Sequence, residues 1–271
     1  MATIKDQVSL RAGIASWLNR SDLTDENLDQ FIEIGESRIY ETLRVPPLEI
    51  SQGFSVTTSN SSIIVPNGFL EMIELKLDGG ASKDDDIVLG RVDSKVFNNH
   101  RTSHVYTRHI GNFLLTDKEA KQSAGGTYIM YYYKAGDAIG TYSTTTTAVT
   151  AFVVGNYYKI VSLGNTSQSN WNTVAGTSNI TYAVGTIFKA AATTTGTGTA
   201  YEESIPYILS DVSEIILYAA CEAGSVFLGD LEMEQKFNGL TERKIVSLNQ
   251  EEIRASMKGA AFSSRFSSLS L

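Results

Sequence analysis

Apolar residues recur every three or four positions at both ends of this 271-residue chain, and at every second position between them. The first period buries a stripe of helix; the second buries one face of a strand. Helical ends on a strand-rich middle predict an α+β protein.

At the N-terminal end, residues 5–19 carry Val8, Ala12, Ala15 and Leu18 on one stripe and Leu10, Ile14 and Trp17 on another. Asn19, Ser21 and Asp22 favour a turn, because their side chains compete for backbone hydrogen bonds. Thr24 is placed to cap a second helix, with Asp25 and Glu26 where the helix dipole favours anions. Leu28, Phe31, Ile32, Gly35, Ile39 and Leu43 continue it, and Val45-Pro46-Pro47 must stop it. At the other end, Asp211 and Glu214 have the spacing of a capping box. After them Val212, Ile215, Ile216, Ala219, Ala220, Ala223, Val226 and Phe227 form a stripe, widened by Leu217, Tyr218 and Cys221, so this helix is expected to be buried on most sides. Gly229 suits its end and Asp230 the cap of a last helix over residues 231–256, with Met233, Phe237, Leu240 and Leu248 inward and Gly239 as a weak point. The two terminal pairs are expected to pack as a four-helix layer.

Between residues 50 and 135 the expected strands are 69–77, 87–92, 105–116 and 126–135. Gly111-Asn112 signals a hairpin in the third. In the last, Tyr128, Met130 and Tyr132 should share one face, with Ile129, Tyr131 and Tyr133 on the other.

Residues 148–201 differ in kind. They hold no Asp or Glu and only Lys159 and Lys189; their +2 against a total of −8 leaves −10 for the rest. Residues 154–159 (VGNYYK) resemble residues 184–189 (VGTIFK), which predicts two similar hairpins with Trp171 as core anchor. An insertion whose ends meet at one surface point explains the contrast. The full expectation is an antiparallel helical bundle from the terminal pairs, a central antiparallel β region and an inserted all-β module. The helical and β body is residues 1–147 and 202–256, the insertion 148–201, and the tail 257–271.

Little of this is catalytic. His100, His104 and His109 lie close together, but His104 and His109 fall on opposite faces of a strand, so a solvated, Arg-rich edge is the expectation over a metal site. Glu33 with Glu36, or Glu232 with Glu234, has the look of a glycosidase pair only as any helix surface does. Cys221 sits among Ala219, Ala220 and Ala223, as a small core hydrophobe would. No enzyme, cofactor or metal is expected. The acidic balance argues against a phosphate-wrapping surface, and no apolar run has the length of a membrane span. A single cysteine and a start without signal-peptide features suggest a soluble protein made in a reducing compartment.

Residues 10–45 resemble the opening of the head-to-tail adaptors of short-tailed bacteriophages, the tail tubular protein A and gatekeeper-type group. The matching positions are Trp17, Leu18, Asn19, Arg20, Asp22, Leu23, Phe31, Ile32, Glu36, Arg38, Ile39, Leu43 and Arg44. The likeness continues at residues 65–75, 106–116 and 128–135, although Val65 replaces a usual leucine and Asn67-Gly68 a usual Ala-Asp. It implies a structural protein of the virion neck, assembled in the host cytoplasm as a twelvefold homo-oligomeric ring. The partners implied are the portal protein, a tail nozzle protein, a tail fibre, and double-stranded DNA that passes without sequence-specific binding.

Within that frame Arg20, Asp22, Glu36, Arg38 and Arg44 are candidate subunit contacts. The tail residues Phe262, Arg265, Phe266, Leu269 and Leu271 are candidates for portal binding by a segment unable to repay its own ordering entropy. Tyr157, Trp171 and Phe188 of the insertion are candidates for fibre docking. A glycan-binding tail protein is the alternative, and a cell-wall hydrolase a more distant one.

Overall fold

A computed structural model describes residues 4–56, 62–78, 86–97, 104–109, 111–115 and 126–259. It forms an α+β protein. Helices α1 (Gln7–Trp17) and α2 (Asp25–Thr42) open the chain, α3 (Gln168–Ala175) lies in the insertion, and α4 (Ser213–Leu228) and α5 (Leu231–Gly259) close it. Two compact units result: Met1–Ile39 with Asp137–Ile245, and Tyr40–Gly136 with Val246–Leu271.

The second unit holds two sheets. One joins β1 (Glu49–Val56) and β3 (Phe69–Leu77) to opposite sides of β8 (Gly126–Lys134), with β4 (Ile87–Val88) beyond β3. The other runs β2 (Ser62–Ile64), β7 (Asn112–Leu115), β6 (Val105–His109), β5 (Gly90–Arg91). Tyr128, Met130 and Tyr132 point into a core shared with Ile63, Leu75, Tyr106 and Phe113, as the alternation predicted. Phe69 stacks on Tyr132 at 5.4 Å and meets Phe113 edge-on at 5.5 Å. Gly111 takes φ +77° at the turn between β6 and β7. The strand expected over 87–92 is split in two. β4 pairs with β3 and β5 with β6, so the chain changes sheets at the buried Leu89, whose N–H donates to Leu75 O at 2.8 Å.

In the first unit the terminal helices pack together, as expected. Trp17 lies between Tyr218 (5.6 Å) and Phe237 (5.9 Å), and Phe31 meets Phe227 at 5.4 Å. Gly35 and Gly224 allow close approach, the first to the Ala219–Ala220 backbone and the second to Leu18 and Phe31. Thr24 Oγ1 accepts from Asn27 N–H, Gly229 ends α4 at φ +71°, and Asp230 accepts from Met233 N–H at 3.0 Å, all as read from sequence. One cap differs from the reading, and one has no counterpart in it. Asp211 ends the short helix Tyr207–Ser210, leaving Val212 at the N-cap of α4 without a side-chain bond. Asp6 and Ser9 form a capping box on α1.

The insertion belongs to the first unit. Its sheet runs β11 (Ile187–Lys189), β10 (Tyr157–Ser162), β12 (Thr199–Glu203), β9 (Tyr142–Ala148), so it reaches from Tyr142 to Glu203. The V-G-x-x-aromatic-K units are the two halves of one antiparallel pair, with Tyr158 opposite Phe188, rather than two hairpins. Gly155 N–H donates to Ala190 O at 2.7 Å and Gly185 N–H to Ile160 O at 2.8 Å, so each glycine closes one end of the pair by the same bond. α3 adds a helix to the module. Ser167 caps its start, Gly176 ends it at φ +63°, and it delivers Trp171 into a core with Phe152, Tyr158, Tyr182 and Phe188.

Candidate functional site

Among the described residues no cluster of three or more His, Cys, Asp or Glu side chains is arranged to hold a metal. His100 and the side chain of His109 lie outside the described residues. Cys221 is buried, and burial pushes its thiol up to about 12, far from a reactive thiolate. Glu36 is 7% exposed and accepts the Ile139 N–H at 3.0 Å. Burial first, and then the charge of Glu33, push its carboxyl up to about 7 against the lowering effect of that N–H.

The five charged candidates for subunit contact fall into two sets. Arg20 and Asp22 form an exposed bidentate pair at 2.7 and 2.6 Å, and its hydrogen bonds hold Asp22 down at about 2. The other three are engaged within the chain. Glu36 binds the Ile139 backbone, and Arg38 is shared between Glu222 and Glu242, the latter at 3.0 Å. Arg44 reaches Glu71 at 2.8 Å and donates to the carbonyls of Tyr40, Glu41 and Leu43, so it closes the C-terminal end of α2.

Among the aromatic candidates, Trp171 is 0% and Phe188 5% exposed. Trp171 from α3 and Phe188 from β11 fill the core of the insertion and offer a partner no surface. Tyr157 remains, at the lip of a cleft of about 410 Å³ between the insertion and the start of α1. Lys189 lies 5.2 Å from its ring centre and 3.7 Å from Asp6, while Glu203 accepts Gln7 N–H at 3.2 Å. The tail candidates Phe262, Arg265, Phe266, Leu269 and Leu271 lie outside the described residues.

Two surfaces were not read from sequence. The α4–α5 turn exposes Val226 (63%), Phe227 (60%) and Leu231 (73%), a large apolar group of a kind that marks contact sites. In the sequence Val226 and Phe227 look like the end of a core stripe; only packing shows that α4 outruns its cover. The second is the outer face of the insertion, where Lys159 lies 5.9 Å from the Tyr142 ring and the Lys189–Tyr157 pair repeats the motif. Ile187 and Val184 are exposed on the same module.

The molecule therefore offers surfaces for contact, and its shifted Glu36 and Cys221 are buried structural groups. No helix among the described residues is long and apolar enough to cross a membrane. No curated protein matches the chain. The model of the SU10 adaptor protein family matches residues 8–261, taking in both helix pairs, both sheets and the insertion, and on that match the chain belongs to the SU10 adaptor protein family, a group of phage structural adaptors.

Proposed function

We propose that this adaptor works at the head-to-tail junction of a short-tailed phage, in the manner of the tail tubular protein A and gatekeeper group. Copies form a closed ring, of twelve by resemblance, between the portal and the tail nozzle. The ring lengthens the DNA channel, and its position is the neck of the virion after assembly in the host cytoplasm. The family match over residues 8–261 carries this reading. Physical features support it. The exposed apolar turn of Val226, Phe227 and Leu231 lies between two helices, where a heterologous ring contact can use it. A net charge of −8 suits a conduit that repels phosphate and leaves DNA free to slide.

The insertion is the candidate for holding a tail fibre, through the Tyr157 lip and the lysine–tyrosine face rather than through Trp171 or Phe188. The last residues, Phe262 to Leu271, are expected to reach beyond their own subunit. Mass measurement of the chain alone and on purified portal rings tests the reading. A uniform oligomer on the portal is the expected outcome, and a chain that stays monomeric and never docks there removes the proposal. Half-exposed Tyr142, Tyr157 and Tyr201 also favour a second reading, glycan binding by the insertion, which a glycan array probed with the full chain tests.

A further inference from the structure

Every sheet has two edges, and a bare edge is a template for another strand. Among the described residues, five of the six sheet edges are blunted. β4 and β5 have two residues each, and β2 and β11 three. β9 has seven, but its pairing with β12 shifts register, and Ser143 Oγ, which accepts the Thr145 N–H, folds the strand locally at that point. The sixth edge is β1. Its eight residues pair with β8 without a break, from Glu49 opposite Tyr133 to Val56 opposite Gly126. It contains no proline, no lysine and no bulge. Among the described residues no strand pairs with its other side, so every second residue there presents an N–H and a C=O outward. The flanking side chains leave room: Ser51, Gly53 and Ser55 are exposed, and Ile50 and Phe54 are only partly covered by the core.

We propose that this edge receives the C-terminal segment, residues 260–271, of a second copy of the chain, added as a further strand beside β1. That segment is the part of the sequence built to be captured. It has no proline and no acid, five serines among its twelve residues, and Arg265 as its only charged side chain. Twelve residues extend to about 40 Å, and covering β1 needs eight of them, about 27 Å, so residues 260–267 span it directly from the end of α5 at Gly259, with four residues left beyond. Phe262 and Phe266 are four apart, so they fall on one strand face with the same repeat as Ile50 and Phe54. Antiparallel and in register, with Phe262 beside Phe54 and Phe266 beside Ile50, they cover the open flanks of those two side chains, while Ser263, Arg265 and Ser267 fall on the face of Ser51 and Gly53. Arg265 has the exposed Glu49 as a counter-charge on the receiving strand. The choice of a second copy as donor rests on the ring reading. Each tail received by the next subunit makes a heterologous contact that repeats around a closed circle. The portal, which the resemblance implies as the tail's receiver, becomes an outcome of the test.

The test follows amide hydrogen exchange across Glu49–Val56 in the full chain and in a chain ending at Gly259, each alone and on portal rings, with mass measured in parallel. Expected are slowed exchange at alternate amides of β1, by at least about tenfold, in assembled full-length chains, and its loss in the shortened chain. Assemblies of the expected mass with β1 exchanging fast in both forms overturn the strand proposal and leave the ring standing. Protection in a particle of monomer mass means the tail folds back on its own subunit, which overturns the second copy as donor. Tail residues protected only when portal is present, with β1 open, assign the tail to the portal and overturn the proposal as well. A synthetic peptide of residues 258–271 added to the shortened chain is the second measurement. It should restore protection, and the same peptide N-methylated at alternate amides should not. Equal effects from both would mean apolar sticking rather than strand addition.

Discussion

Gly35 of α2 lies against Ala220 of α4, so closely that a Cβ on the glycine would stand 3.0 Å from the Ala220 nitrogen and 3.2 Å from the Ala219 carbonyl carbon. Neither atom is the free end of a side chain, so the helices must part to admit a methyl group. Gly35→Ala gains about 1 kcal/mol of helix propensity and loses about 1–3 kcal/mol to overpacking. A net loss is expected, larger for Gly35→Val. Gly239 is the control, since nothing lies within 4 Å of a Cβ there. Gly239→Ala should stabilise α5 by about 0.5–1 kcal/mol. Urea unfolding followed by tryptophan fluorescence reads both, because Trp17 and Trp171 belong to the same unit.

Arg38 illustrates a charge that sequence places on a subunit surface and the fold spends internally. Its guanidinium is shared between Glu222, which is buried, and the exposed Glu242. Arg38 meets Glu222 Oε1, and Glu222 Oε2 has no hydrogen-bond partner among the described residues. Arg38→Met therefore leaves a buried carboxylate without its cation, at a cost of about 3–5 kcal/mol. Combining it with Glu222→Leu should recover most of that loss, because the unpaired charge goes too. A double-mutant cycle in urea measures the coupling, and additive losses would show that the pair is not the source.

The helices and their caps at Thr24, Gly229 and Asp230 were legible because each depends on neighbours in sequence. So was the inward face of β8, whose Tyr128, Met130 and Tyr132 alternate cleanly. Three features escaped for one reason: they are set by partners distant in the chain. β1 has an alternating Ile50, Gln52, Phe54, Val56, but Gly53 and the serines disguise it until β8 is seen beside it. The repeat of residues 154–159 and 184–189 was visible, yet its pairing into one two-stranded unit depends on α3 and the folding back of the chain between them. Exposure was the hardest to read. Trp171 reads correctly as a core anchor but also, with Phe188, as a docking residue, and Val226 and Phe227 look like core, because composition is silent on which side of an element the next layer lies.

Glu36 should make stability depend on pH. An acid whose carboxyl lies at about 7 in the fold, against 4.5 ordinarily, holds its proton more tightly folded than unfolded. The folded state then binds more protons between those values, so stability falls as pH rises from about 4.5 to about 7, and the penalty is complete above it. The size should be on the order of 1–2 kcal/mol once solvent screening is allowed for. Glu36→Gln keeps an oxygen for the Ile139 N–H and removes the charge. It should flatten this part of the stability profile and raise stability at pH 8. A variant with the parent's pH slope would show that other groups set it.

The apolar turn between α4 and α5 separates assembly from folding. Val226 and Leu231 are largely solvated in the single chain, at 63% and 73% exposure. Replacing both with serine removes little that the subunit uses, so its unfolding free energy should change by about 0.5 kcal/mol or less. If the turn is buried between copies or against a neighbouring tail protein, the same change forfeits about 1.5–3 kcal/mol for each side chain covered. Two such losses weaken the contact by at least about 100-fold. Phe227 is kept out of the variant because its ring also meets Phe31 inside the subunit at 5.4 Å. Sedimentation of the double variant on portal rings reads the result: a well-folded subunit that no longer assembles assigns the turn to an interface. Rings formed at unchanged concentration would mean that these side chains stay in water, and that the contact between copies is made elsewhere, with Arg20 and Asp22 the next residues to exchange.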